Sequence, residues 1–286
     1  MPRLPRSSRL ASPVDTAAYG EYRVVRDPGD PRPLYRFAGR ITEAEAGRYH
    51  VYAGWFCPWA QRITITIELA GLRDVVGVSY VDNARDGRGW AFRERYGPDP
   101  VNGFTLLRQA YEATEPGFDG HVSVPTLWDR ATGRVLSNEY KTLGIDLATR
   151  FRSIAAPAVD TYPEALRDEI EALDEWLNPA VNHGAHKAAT DPEARTALLD
   201  AFATLDERLS TRRYLTGPGI TQADVRLWVT LARYGEGLAD YPHLWAYARD
   251  LYTVPAFRDT TDFSTFGTPN VLDWTTPAER PEGIPA

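Results

Sequence analysis

The chain has 286 residues, with 39 acidic side chains against 32 basic ones and a formal net charge of −7. That length accommodates two domains with real cores, and the acidic balance provides no broad basic face for nucleic acid or an anionic membrane. A single cysteine, Cys57, excludes an internal disulfide framework and suits a reducing, cytoplasmic setting. Lysine occurs only as Lys141 and Lys187, so nearly all positive charge is arginine, which reads as the bias of a GC-rich genome.

The first stretch, Met1 to Gly20, carries arginines but no apolar run of signal-peptide length and reads as a loose arm. No window approaches the roughly 18 consecutive apolar residues of a membrane helix. Turn chemistry clusters from Asp27 to Pro33, and the tail from Thr268 to Ala286 is rich in proline, so both ends are expected on the surface.

Tyr49 to Phe56 and Val75 to Val81 read as strands, with Pro58 to Ala70 between them. Ile63, Ile65 and Ile67 alternate like a strand, but Ala60, Ile63, Ile67 and Ala70 share a helical stripe. With Pro58 at a first helical position and Gly71 as a C-terminal cap, the spacing predicts a helix. The segment from Asp82 to His121 is long for a plain connection and implies local structure or a functional loop. Val122 to Trp128 and Arg134 to Leu136 flank turn chemistry at Asp129 to Gly133, a hairpin signal, and a helix is predicted from Asn138 to about Arg150. That order fits an α/β thioredoxin-like domain.

Beyond Ala155 the strand signals stop. Tyr162 to Val181, Asp191 to Leu209, Thr221 to Tyr234 and Tyr241 to Val254 have helical spacing, which predicts an all-α second domain. The divisions expected are an arm at 1–44, a thiol-binding domain at 45–152, a helical substrate domain at 160–263 and a tail at 264–286. Thr221-Gln-Ala-Asp224 has the form of a capping box, a folding device with no assigned chemistry.

Cys57 follows a strand and precedes Pro58 at the start of a helix, where unpaired amides and the helix dipole favour a thiolate. Arg62, one turn in, adds positive charge. No second cysteine follows Pro58 and Trp59, so a mixed disulfide at Cys57 requires an external thiol for its resolution. The histidines show no metal-ligand spacing, and there is no Walker A loop, dinucleotide fingerprint or nucleophile elbow.

Tyr49-His-Val-Tyr, Cys57-Pro-Trp-Ala, Gly89-Trp90 with Phe92, Val124-Pro-Thr-Leu-Trp-Asp129, Ser137-Asn-Glu139, Tyr162-Pro-Glu-Ala-Leu-Arg167 and Val181-Asn182 with Gly184 together resemble the Xi-class glutathione transferases, or glutathionyl-hydroquinone reductases. So do Leu205 to Leu215 and Asp240 to Pro255, and the likeness runs in order from about residue 45 to 263. It implies a homodimeric enzyme of glutathione-transferase fold in which Cys57 attacks the sulfur of a glutathionyl adduct. Trp90 would stack beside the bound thiol, Val124 would pair its backbone with the cysteinyl part, the bond before Pro125 would be cis, and Glu139 would meet the γ-glutamyl end.

Three positions depart from the family pattern. Tyr140 stands where the family has a small residue, and its hydroxyl or its bulk would meet the γ-glutamyl group. His121 replaces a basic residue that helps hold the tripeptide. His186 replaces a tyrosine at the acceptor site, where an imidazole can shuttle a proton near neutral pH. The leading expectation is reductive removal of a thiol from a quinone-like or aromatic adduct, with no metal, using glutathione or, in a high-GC bacterium, mycothiol. A thiol-dependent isomerase or thiol-conjugating transferase acting on an electrophilic natural product, and a non-catalytic ligand-binding protein, are the alternatives.

Overall fold

Strand β1 (Tyr49–Ala53) is buried at all five positions, so both faces need cover and both edges need partners. The crossover after it is α2 (Pro58–Leu69), which returns the chain to β2 (Gly77–Tyr80) parallel to β1, with Val51 opposite Val78. On the other edge, β3 (Thr126–Asp129) pairs antiparallel, placing Leu127 opposite Val51, and turns through Asp129 and Gly133 into β4 (Arg134–Ser137). The sheet order β2-β1-β3-β4 and the following helix α4 (Tyr140–Thr149) form the thioredoxin-like layer. In the hairpin turn Gly133 has φ 65° and donates its amide to Asp129 O, a conformation open to glycine at little steric cost.

The computed structural model describes residues 10–24, 29–235, 237–267 and 271–276. Expectations for residues 1–9, 27–28, 268–270 and 277–286 lie outside the described residues. The chain divides into two compact units, Met1–Ile63 with Leu72–Ala155 and Thr64–Gly71 with Ala156–Ala286.

In α2 the isoleucines alternate because the helix is buried around most of its circumference. Ala60, Ile63 and Ile65 are fully buried and Ile67 is 2% exposed. Gly71, at φ 68°, ends it, and a Cβ there would stand 2.7 Å from Ala156 O. Strands β1, β2 and β3 are shorter than the apolar pattern implies. Residues 54–57 turn after β1, with Cys57 N donating to Gly54 O, and Ser123 O before β3 accepts the hydroxyls of Tyr111 and Thr126 rather than a ladder amide.

The long segment after β2 is locally organised by two buried carboxylates and α3 (Arg108–Thr114). Asp99 accepts the amides of Val101, Asn102 and Phe104 and the Tyr52 hydroxyl. Asp86 accepts the Asp15 amide and pairs with Arg88 at 2.7 Å. Through Asp15, and through Arg93 Nε donating to Ser12 O at 2.9 Å, the described part of the N-terminal segment, including α1 (Thr16–Tyr19), docks on this unit. A loose arm is therefore not what residues 10–20 form.

The second unit is helical: α5 (Arg167–Leu177), α6 (Gly184–Lys187), α7 (Pro192–Leu209), α8 (Gln222–Tyr234), α9 (Pro242–Thr253) and α10 (Pro255–Arg258). Asp191 caps α7, and the Thr221/Asp224 capping box opens α8. Asp224 is fully buried and also accepts Leu215 N and the Tyr247 hydroxyl, so the cap fastens α9 to α8. Contrary to a surface tail, Trp274 is 4% exposed and packs edge-on against Trp228 and Trp245. Among the described residues no helix is long and apolar enough to cross a membrane.

His50 in β1 is buried beside Ser79 and Arg130, and burial first, then the Arg130 charge, pushes its imidazole down to about 4. The unfolded chain takes this proton near 6.5 and the folded chain only near 4, so stability rises with pH between those values. The contribution is about 3 kcal/mol when fully developed. We expect His50→Gln to flatten the slope of unfolding free energy against pH between 4 and 6.5 in denaturant titrations. An unchanged slope would show that other groups carry it.

Candidate active site

The parallel β1–β2 crossover delivers Cys57 to the N-terminus of α2. Its carbonyl accepts Gln61 N at 3.0 Å, the first turn of the helix, and Pro58 occupies the next position, where no amide hydrogen is needed. Cys57 is 7% exposed, and its thiol donates to Val124 O at 3.3 Å. The Val124–Pro125 peptide is cis, and its loop lies immediately before β3.

Two groups of aromatic residues flank the thiol. On one side Trp90 stacks on Phe56, the residue before Cys57, with ring centroids 4.4 Å apart. The Arg85 guanidinium lies 4.1 Å from the Trp90 ring and 4.1 Å from the Tyr22 ring. The Tyr22 hydroxyl is 3.0 Å from His121 Nδ1. Burial, and then the charge of Arg85, lowers the His121 pKa below its ordinary value, so at neutral pH the imidazole is uncharged and the positive charge here belongs to Arg85.

On the other side Tyr140, 6% exposed, stacks on Trp59 at 4.8 Å and meets Tyr35 edge-on at 6.0 Å. Arg62 lies over both Trp59 and Tyr140. Glu139 caps α4 by accepting the amides of Lys141 and Thr142 and the Thr142 hydroxyl. The Tyr35 phenol joins the two sides. It lies 6.4 Å from the His121 ring, and burial first, then Cys57 and Glu139, raise its pKa.

The first unit thus gathers Cys57, Trp90, Val124, Pro125, Glu139 and Tyr140. His186 belongs to the helical unit, exposed in the last turn of α6. Sequence reasoning missed Tyr22, Tyr35 and Arg85. The two tyrosines lie in the segment read as an arm, and only the proximity of Arg85 to Gly89-Trp90 in the chain could have drawn attention to it. Among the described residues no cluster of three or more His, Cys, Asp or Glu side chains is arranged to hold a metal.

A thioredoxin-like layer with a thiol at the α2 N-terminus facing a cis X–Pro loop, followed by a helical unit, defines a thiol enzyme of the glutathione transferase fold. Residues 164–250 match the family glutathione S-transferase, C-terminal domain. The chain is 35% identical over 242 residues to glutathionyl-hydroquinone reductase YqjG of Escherichia coli, covering 77% of this chain and 73% of that one. It is 36% identical over 219 residues to glutathionyl-hydroquinone reductase PcpF of Sphingobium chlorophenolicum, covering 70% of each. The glutathione-bound structure of the Escherichia coli protein superposes with a TM-score of 0.76 at 32% identity, over 83% of this chain and 89% of that one. The chain belongs to the Xi-class glutathione transferases, the glutathionyl-hydroquinone reductase family, and is an enzyme of thiol-transfer chemistry.

The buried Tyr140 ring occupies space beside the cap of α4. Tyr140→Ser removes its stacking on Trp59 and leaves a cavity, and is expected to lower the unfolding free energy by about 3 kcal/mol, read as a reduced denaturant midpoint at constant slope. A midpoint within error of wild type would mean that the ring contributes no packing.

Proposed function

We propose that this enzyme reductively removes a glutathionyl group from a quinone-like or aromatic adduct, with Cys57 as the nucleophile. The observation that carries this reading is the placement of Cys57: at the α2 N-terminus, its sulfur 3.3 Å from Val124 O, in a chain with no other cysteine. The thiolate attacks the sulfur of the adduct, a sulfur–sulfur bond forms, and the carbon–sulfur bond breaks. The electron pair passes to the ring carbon, which takes up a proton and leaves as the hydroquinone. A second glutathione thiolate then attacks the mixed disulfide, releasing glutathione disulfide and restoring the Cys57 thiolate. The aromatic carbon is reduced and two thiol sulfurs are oxidised, so no metal or redox cofactor enters the balance.

Glutathione as the thiol draws support from the glutathione-bound relative. Trp90 is proposed to stack beside it, Val124 to pair with its cysteinyl backbone and Glu139 to face its γ-glutamyl ammonium. His186 as acceptor-side proton shuttle rests on the resemblance alone, as does the homodimer, and the cytoplasmic setting rests on the lone cysteine. The buried Tyr140 ring favours a second reading, in which mycothiol replaces glutathione because the γ-glutamyl space is narrowed.

The test compares wild type and Cys57→Ser with a glutathionyl-hydroquinone and either thiol, following hydroquinone release and the intact protein mass. We expect a glutathionyl adduct on wild-type Cys57 and a fall in turnover of about a thousandfold or more in Cys57→Ser. Retained turnover in the variant would sink the covalent mechanism and favour isomerase or conjugating chemistry. Turnover with mycothiol but not with glutathione would replace the thiol.

A further inference from the structure

Arg85 differs from five other arginines of its unit in what it lacks. Arg36, Arg40, Arg48, Arg88 and Arg108 of the same unit each hold a carboxylate within 3.3 Å. Among the described residues no carboxylate lies within ion-pair distance of Arg85. Its neighbours are two aromatic faces, Tyr22 and Trp90, each 4.1 Å from the guanidinium carbon. Asp86, the nearest acid in the chain, is committed to Arg88 and Arg93 and to the Asp15 amide.

The clamp is built by the local fold. Gly89 N donates to Asp86 O at 2.8 Å, closing a turn in which Gly89 has φ 85°, a conformation suited to glycine. That turn sets Arg85 and Trp90 on the same side, and Tyr22 closes over the guanidinium from the N-terminal segment. A flat guanidinium held between two rings keeps its edge, with the N–H donors, free for a planar anion. Partial burial disfavours its charge, while Tyr22 and the Cys57 sulfur favour it, so an anion reaching this edge meets a partly desolvated cation beside the reacting thiol.

We infer that Arg85 is the carboxylate receptor of the thiol site and that it selects a thiol cosubstrate ending in a lone carboxylate. This rests on the proposed thiol chemistry at Cys57. Of the two ends of glutathione, the γ-glutamyl end carries an ammonium beside its carboxylate, and the glycyl end carries a carboxylate alone. A cation with no acidic neighbour matches the glycyl end, as the acidic Glu139 matches the ammonium. Mycothiol, an N-acetylcysteinyl amide of a glucosamine–inositol, carries no carboxylate and offers nothing to this receptor. Arg85 therefore favours glutathione, and the N-terminal segment, through Tyr22, is part of the thiol site.

The test measures the KM for glutathione and for its glycyl monoethyl ester in turnover of a glutathionyl-hydroquinone by wild type, Arg85→Gln and Arg85→Lys, with the Cys57 adduct formed from that substrate recorded by mass spectrometry. In wild type the ester is expected to raise KM by roughly ten- to a hundredfold, the range for one charge-assisted hydrogen-bonded pair. Arg85→Gln should raise KM for glutathione by a similar factor and leave that for the ester nearly unchanged, and Arg85→Lys should keep part of the discrimination. The acid and ester comparison in wild type needs no variant to fold. Equal KM for acid and ester, with adducts forming at Cys57, would overturn the Arg85 assignment and leave the Cys57 reading standing. No Cys57 adduct from the glutathionyl-hydroquinone would overturn both.

Discussion

The pairing of β1 with β2 is the constraint on which the site depends. Parallel strands cannot be joined by a tight turn, so the chain must leave the C-terminal end of β1, cross over as a helix and return. The residue at the start of that crossover necessarily stands at a helix N-terminus at the edge of the sheet. In this chain that residue is Cys57. The neighbouring antiparallel strand β3 enters the sheet from the Val124–Pro125 loop, so the same register that places Leu127 opposite Val51 brings Val124 O to the thiol. Two backbone facts, one parallel and one antiparallel, locate the sulfur before any side-chain preference acts.

Local signals made much of this legible in the amino-acid sequence. Pro58 and Gly71 bracket α2, the turn from Asp129 to Gly133 marks the hairpin, and Asp191 and Thr221 mark helix starts. Each is short-range chemistry that needs no tertiary partner to be read. The strand ends were less legible, because apolar content persists through Gly54 to Phe56 and Val122 to Val124 while the hydrogen bonds there serve a turn, a hydroxyl pair and the thiol. Periodicity reports burial, and burial at a site does not require a ladder.

Tyr22, Tyr35 and Arg85 were illegible for a different reason. Tyr22 and Tyr35 belong to the N-terminal segment, and Tyr22 completes the surroundings of Arg85; where that segment lies is fixed by long-range contacts of buried Asp86 with Asp15 and by Arg93 with Ser12. A carboxylate buried with two arginines is costly to leave unpaired, so this anchoring is strongly specified once folded. Nothing in the local spacing of residues 10–40 announces it. The arm resembles a loose segment in composition and is docked on the first unit in the structure.

The departures at His121 and Tyr140 become coherent when charge is followed rather than residue identity. His121 stands beside Arg85 in a half-buried setting, and two cations there would repel, so the imidazole is held neutral and pairs with the Tyr22 hydroxyl. The positive charge here lies on Arg85, where two aromatic faces stabilise it without neutralising it as a carboxylate would. At the opposite side, the first amides of α4 are taken by Glu139, and the Tyr140 ring covers the same end by stacking on Trp59. A helix N-terminus already capped by a carboxylate has less to offer a second anion. Anion recognition on this reading shifts from the α4 end toward Arg85, and the thiol site keeps one strong electrostatic contact while its other end is shaped by aromatic packing.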